Sequence, residues 1–450
     1  MSDRFCLRED YSMAASHQIV RALDHASTVI RLTAFDETLS YAAVSVGFVY
    51  ETSVSEADLV RGLEVALAHY PVFGGRMRCR PGSAELVCDN QGISFSVRVV
   101  DATVDDATEW LTDNAIDRIV TPVNVRRARA GKEPLLSLRI TYLAGGGMLV
   151  GASWHHSIGD TQSFMRFMDA WSAAVDGRDI ASEERIANRS AYLLRHFTAR
   201  NLANGKASSL RFQRLRLLEV AKILVALRKR NFRSVILYFT SDEIIEMKRA
   251  LGPRLSANDV VSAHIHDLVR RCEGAESPRE LMIVVNFRKR LGLGPDVLGN
   301  LLTPMMLPWK PGDSVGEMSG RIRAGVDHYL TDHFDYPATE REIDAIPRRA
   351  RWRYVPIDPT RRILTFTNWS KFGVYDVSFG GSRPMMFAPL SARPQPWASI
   401  LVEGFRGEGM LVRGDFPVNI AAELHKMPIE RRHPYRTAGT ALSTPSRTFL

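Results

Sequence analysis

The chain has 450 residues, a formal net charge of +9, and 45% hydrophobic and 24% charged residues. That length exceeds one ordinary domain, and the composition is that of a soluble globular protein. No apolar run reaches the ~20 residues that span a bilayer, and the N-terminal "MSDRFCLREDYSM" lacks a signal-peptide core.

Strand and helix signals alternate along the first part of the chain. "LSYAAVSVGFVYE" (39–51) is β-rich. "SEADLVRGLEVALAHYP" (55–71) has a helix start at Ser55 and Asp58, a stripe of Leu59, Leu63 and Leu67, and a stop at Pro71. "AELVCDNQGISFSVRVVD" (84–101) reads as two strands around a turn at Asp89 to Gly92. "PLLSLRITYLAGGGMLVGASW" (134–154) reads as two strands joined at Gly145 to Gly147, the second running into His155 and His156. After Asp160, the residues Phe164, Phe167, Met168, Trp171 and Ala174 share one helical face, and Gly177 is a stop. Asp160 or Thr161 can cap that helix.

Residues 179–215 are polar and Arg-rich and read as a crossover between two halves, 1–178 and 216–427. In the second half, 234–239 is a strand and 240–251 a helix with Thr240 and Glu243 as a capping box. "ELMIVVNF" (280–287) is a buried strand. "RRILTFTNW" and "VYDVSFG" (361–380) are strand-like, 398–416 a hairpin, and 419–427 a last helix. Residues 428–450 read as a loose tail.

Much of the positive charge lies in 206–233, which holds nine Lys or Arg against only Glu219. Leu210, Leu217, Leu224 and Leu227 fall near helical spacing. The first reading is a surface helix packed by its Leu stripe, ahead of membrane-surface attachment or capture of a polyanion. No recognition motif points to nucleic acid. Four cysteines, Cys6, Cys79, Cys88 and Cys272, show no pairing or metal spacing, which suits free thiols in the cytoplasm.

The chemistry concentrates in "SWHHSIGDTQSF" (153–164). With no CxxC and no HExxH helix, it does not read as a metal site. A neutral imidazole at a strand end can take a proton from a hydroxyl or amine. No side-chain nucleophile is needed when the acceptor itself is the nucleophile. His155 alternates with His156, so it is expected to point the other way, as packing or loop support. Asp160 either contacts the imidazole of His156 or points away and locks the loop.

The loop is one of several ordered matches. "ALAHYPVFGGRM" (66–77), the strand pair ending in His-x-x-x-Asp, "TSDEIIEMKRALGPRLSANDVVSAHI" (240–265), the Arg-x-Arg and Gly-Asn of "VVNFRKRLGLGPDVLGN" (284–300), and "FTNWSKFGVYDVSFGGSRP" (366–384) follow one another along the chain. Together they resemble the BAHD acyltransferases, which take acyl groups from acyl-CoA. The resemblance implies two similar-sized α/β domains of the chloramphenicol-acetyltransferase type, each a mixed sheet with helices, and a tunnel between them. It implies His156 as general base. Asp160 turns away to pair with Arg288 or Arg290, and Thr367 and Trp369 are donors near the oxyanion. Ser256 and Asn258 are candidates for the CoA arm. Acyl-CoA is then a co-substrate, no cofactor is permanently bound, and the acceptor is the alcohol or amine of a small, specialised metabolite. The protein is expected to be a monomer.

Two departures stand out. Thr161 replaces the family's glycine, and Ser378-Phe379-Gly380-Gly381-Ser382 replaces its Asp-Phe-Gly-Trp-Gly, a motif remote from the histidine. The His-His-x-x-x-Asp pattern also resembles condensation domains of peptide synthetases, which use carrier-bound thioesters. A non-catalytic binding protein of the same fold is a third reading.

Overall fold

The computed structural model describes residues 14–80, 82–199, 213–228, 232–273, 280–308, 310, 312–331, 336–355, 363–392, 395–424 and 426. The expected tail, 428–450, Cys6, and the start of the basic segment lie outside the described residues. In chain order the strands are β1 (Ala14–Val20), β2 (Thr28–Arg31), β3 (Ala43–Tyr50), β4 (Arg76–Arg80), β5 (Ser83–Cys88), β6 (Ile93–Val100), β7 (Leu136–Leu143), β8 (Met148–His155), β9 (Gln213–Arg214), β10 (Phe232–Phe239), β11 (Glu280–Asn286), β12 (Leu302–Pro308), β13 (Tyr354–Val355), β14 (Leu364–Asn368), β15 (Met386–Leu390), β16 (Ala398–Glu403) and β17 (Met410–Pro417).

Two six-stranded mixed sheets carry the molecule. One runs β1-β6-β7-β8-β3-β15, with β6 and β7 parallel. The other runs β10-β17-β16-β14-β11-β12, with β14 parallel to both β11 and β16. Each sheet has its own apolar core. The sheets do not divide at one point in the chain. β15, from the second half, pairs with β3 and completes the first sheet. Residues 179–215, expected as a crossover, include the helix Arg189–Ala199.

Local signals explain the elements around the histidines. Ser55 caps the helix Glu56–His69, accepting the N–H of Asp58, and Leu59, Leu63 and Leu67 are buried. Each such leucine contributes ~1.5–3 kcal/mol. β8 is buried along its whole length, because both faces of this central strand are covered. Trp154 stacks on Phe164 at 4.1 Å, and the segment at Ile119 lies against Gly151. The helix Thr161–Val175 buries the expected Phe164, Phe167, Met168 and Trp171, but also Met165, Ala170, Ser172 and Ala173. It touches both halves. Trp171 Nε1 donates to the carbonyl of Leu59, while Arg166 pairs with Asp296 at 2.8 Å. Among the described residues, no helix is long and apolar enough to cross a membrane.

Two local expectations change. β5 and β6 flank the predicted turn but enter different sheets, since β5 pairs with β2 and β4. Residues Val374–Asp376 form a 3-10 turn after Gly373, whose φ of 76° breaks the strand. The stretch 378–382 is a tight turn in which Phe379 and Ser382 exchange backbone hydrogen bonds. Gly380 and Gly381 have φ of 59° and 77°, a pair that a type I′ turn requires and glycine supplies. Phe379 packs edge-on against Tyr50 and Trp171, and Asp176 accepts from Ser378 Oγ at 2.6 Å and from the N–H of Gly380 at 2.7 Å. The altered motif is a packing element.

Candidate active site

β8 ends at His155, and His156 follows where the chain leaves the sheet. His155 is fully buried, with Nδ1 2.7 Å from Ser157 Oγ. Burial, helped by His156 and Arg129, lowers its pKa to about 4. It supports the loop from inside. His156 is only partly buried, although its Nδ1 is buried and has no hydrogen-bond partner among the described residues. Burial holds this imidazole below the ordinary histidine range, against the opposing pull of Asp160, Asn300 and Asp36. His156 is therefore neutral at neutral pH, the state a proton acceptor needs.

The loop behind it is fixed at every carbonyl. The carbonyl of His156 accepts Asn300 Nδ2 at 2.9 Å. Those of Ser157 and Ile158 accept Arg189 Nη1 at 3.3 Å and Nη2 at 2.8 Å. That of Gly159 accepts Trp154 Nε1 at 3.2 Å. Backbone N–H groups of His156 and Asp160 donate to Ala42 and Gly299. Gly159 has no room for a side chain, since a Cβ would lie 2.6 Å from Ser163 Oγ. With its backbone carbonyls satisfied by fixed partners, the loop has little freedom to move the imidazole.

Asp160 faces away from that imidazole. It caps the helix Thr161–Val175 through the N–H of Ser163 at 3.0 Å, leaving Thr161 as the first helical residue. Both carboxylate oxygens meet Arg288, Oδ2 to Nη1 at 2.7 Å and Oδ1 to Nη2 at 2.9 Å. The N–H of Leu301 adds a bond at 3.1 Å. Burial alone would raise the Asp160 pKa, but the Arg288 charge and these donors hold it below its usual value. Of the two arginines in that element, Arg288 reaches Asp160. Arg290 lies two residues on, on another side of the short helix Arg288–Leu291, and is partly buried.

A second buried ion pair supports the loop from the other side. Asp36 pairs with Arg189 at 3.2 Å and accepts Asn300 Nδ2 at 2.7 Å and the Asn300 N–H at 3.1 Å. Asp36 and Arg189 were missed by sequence reasoning. Thr33 and Asp36 form a legible capping box, but nothing local announces a partner 153 residues away.

Thr367 lies near the end of β14, partly buried, paired with Val284 and Ile400. Trp369 is buried in the first core. Among the described residues, no hydrogen bond links either to His156. Asn368, between them, donates from Nδ2 to Asn258 Oδ1 at 3.2 Å. This joins two separately predicted elements at the start of the helix Ala257–Glu273. Ser256 caps that helix in a reciprocal pair with Asp259, at 2.7 and 3.3 Å.

A model of the Transferase family matches residues 13–398. The chain belongs to the BAHD acyltransferase family. A hydroxycinnamoyl-CoA:5-hydroxyanthranilate N-hydroxycinnamoyltransferase of Avena sativa is 25% identical over 72% of this BAHD chain and 75% of its own length. The solved structure of F. graminearum TRI101 with coenzyme A and T-2 mycotoxin superposes with a TM-score of 0.70 at 13% identity, covering 88% of this chain and 97% of that one. The first condensation domain of the CDA synthetase superposes less well, at 0.56 and 15% identity over 88% and 94%. Those two likenesses are of fold.

The buried neutral His155 gives this BAHD loop an acid weakness. Its pKa in the folded state, about 4, lies below the unfolded value near 6.5, so the unfolded chain takes the proton first. Its contribution to stability is present above about pH 6.5 and is lost as pH falls toward 4, about 3 kcal/mol in all. Urea unfolding at pH 7 and pH 4.5 is expected to show this loss, with a smaller drop in His155→Gln.

Proposed function

We propose that the protein moves an acyl group from acyl-CoA directly to the hydroxyl or amine of a small-molecule acceptor. The observation that carries this reading is His156: partly exposed, neutral, and held on a loop whose neighbouring aspartate is engaged elsewhere. Because Nδ1 is buried, Nε2 is the atom offered to the acceptor. Nε2 takes the acceptor's proton, the freed oxygen or nitrogen attacks the thioester carbonyl, and the C–S bond breaks as the tetrahedral intermediate collapses. The proton then passes from the imidazolium to the CoA thiolate, so no acyl-enzyme forms.

Thr367 Oγ1 and Trp369 Nε1 are the donors assigned to the oxyanion, where such groups act most strongly. Ser256 and Asn258 are assigned to the CoA arm, and the bond from Asn368 to Asn258 supports a shared route from that helix start to Thr367. Substrates would meet in a passage between the two sheets. A relative named for transfer to 5-hydroxyanthranilate and a fold neighbour solved with coenzyme A support this donor and acceptor class.

The test is thermal melting with free CoA and a panel of acyl-CoAs. A ligand at 100 times its Kd adds ~2.7 kcal/mol to the native state. A graded upward shift is expected. No shift with any thioester would turn the reading toward a carrier-bound donor or a non-catalytic protein.

A further inference from the structure

The helix Leu217–Arg228 carries apolar residues on its outer face. Leu217 is 64% exposed, Leu218 76% and Val225 51%. Ala221, between them, is exposed as well. Positions 217, 221 and 225 follow one another at four-residue steps, with 218 alongside, so they form one stripe. Nine large hydrophobic residues are exposed among the described residues, and three fall in this single helix of 12 residues. That clustering distinguishes the stripe from scattered surface leucines, which need no explanation. The expectation of a helix packed through its Leu stripe fails at Leu217.

Cations accompany the stripe along the chain: Arg214 and Arg216 precede the helix, Lys222 lies on it one turn after Leu218, and Arg233 follows it. Arg214, Arg216, Lys222 and Arg233 are exposed. Among the described residues, none of these four side chains forms an ion pair. Glu219, the one acid of the 206–233 segment, accepts the N–H of Arg216 at 2.5 Å and so serves the helix start. An outward apolar strip one to two residues wide, with Lys222 beside it and further uncompensated cations before and after it in the chain, has the chemistry of an interfacial helix. The apolar side chains enter the acyl boundary while the long basic side chains reach the headgroups.

We propose that this helix docks the protein on an anionic lipid surface. The charge argues for lipid over a folded partner. The segment offers a diffuse excess of positive charge and a convex strip, which a fluid anionic surface meets without a matching groove. The inference does not depend on the histidine chemistry, and its failure would leave that reading untouched.

Vesicles of phosphatidylcholine, with and without phosphatidylserine, are sedimented with the full-length protein. Binding is expected only where phosphatidylserine is present, and it should fall as salt shortens the screening length. Each cation near such a surface strengthens binding about fivefold. Arg216→Gln and Lys222→Gln should therefore each weaken it by about that factor. The double variant Leu218→Glu/Val225→Glu should abolish sedimentation while leaving melting and acyl transfer to a soluble acceptor unchanged, since both side chains are exposed. Equal binding to both vesicle types, or full binding by the double variant, overturns the proposal. A dimer that the double variant dissolves, with no vesicle binding, overturns it too and gives the stripe to a second copy of the chain.

Discussion

His156→Ala is expected to leave a folded protein that no longer transfers acyl groups. A positioned base contributes about 10²–10⁴-fold, so kcat/KM should fall by that factor while the melting temperature and the CoA-induced shift persist. The imidazole is partly exposed and its buried Nδ1 bonds to none of the described residues, so little stability is at stake. The pH profile adds a readout that a structural role would not move. Burial lowers the pKa of this histidine, and the deprotonated form is the active one. The wild-type rate should therefore stay level through pH 7 and fall only below the ordinary histidine value. Retained turnover in His156→Ala would remove this residue as the base. Loss of activity together with loss of the CoA shift would point instead to a collapsed site.

What the sequence made legible was local. The Ser55 helix, the β7–β8 hairpin and the Thr240–Glu243 capping box stand where their caps, turns and periodicities put them. Of the strands that the sequence reading missed, two share one physical reason. β12 contains Pro304 and ends at Pro308, and β15 contains Pro389. Proline inside a run argues against a central strand. Both are edge strands, pairing on one side only, which is where proline is tolerated. Turn chemistry misled in the other direction at Val374–Asp376, where an apolar alternation gives way to the left-handed Gly373.

The site was legible only in part, because its supports join residues far apart in sequence. Family resemblance narrowed the partner of Asp160 to Arg288 or Arg290. Selecting Arg288 took the short helix Arg288–Leu291, where positions two apart point to different sides. Asp36 reads as an ordinary cap and Arg189 as one of many arginines in a polar stretch. Their pairing beneath the loop exists only once the first helix, the crossover and Gly299-Asn300 converge.

Asp160→Ala is expected to cost stability as well as rate. Removing one partner of a buried ion pair leaves the other charge uncompensated, typically at a cost of 3–5 kcal/mol. Among the described residues, Arg288 would keep only the carbonyls of Val297 and Gly299, Ser163 Oγ and Gln162 Oε1. Arg288→Met should cost less, because Asp160 retains two backbone N–H donors and Ser163 Oγ, and can also take up a proton. The double variant should lose less than the two losses added together, the mark of a direct interaction. The pH dependence has a fixed sign. The folded pKa of Asp160 lies below its usual 3.8, so the carboxylate stabilises the fold above that value and loses its effect as pH falls through the folded one. The gap between wild type and Asp160→Ala, measured by urea unfolding, should be full at pH 7 and close in strong acid. Since Asp160 shares its loop with His156, kcat should fall with KM for acyl-CoA little changed. Wild-type melting with no activity would put the carboxylate on the histidine and overturn its assignment to the loop.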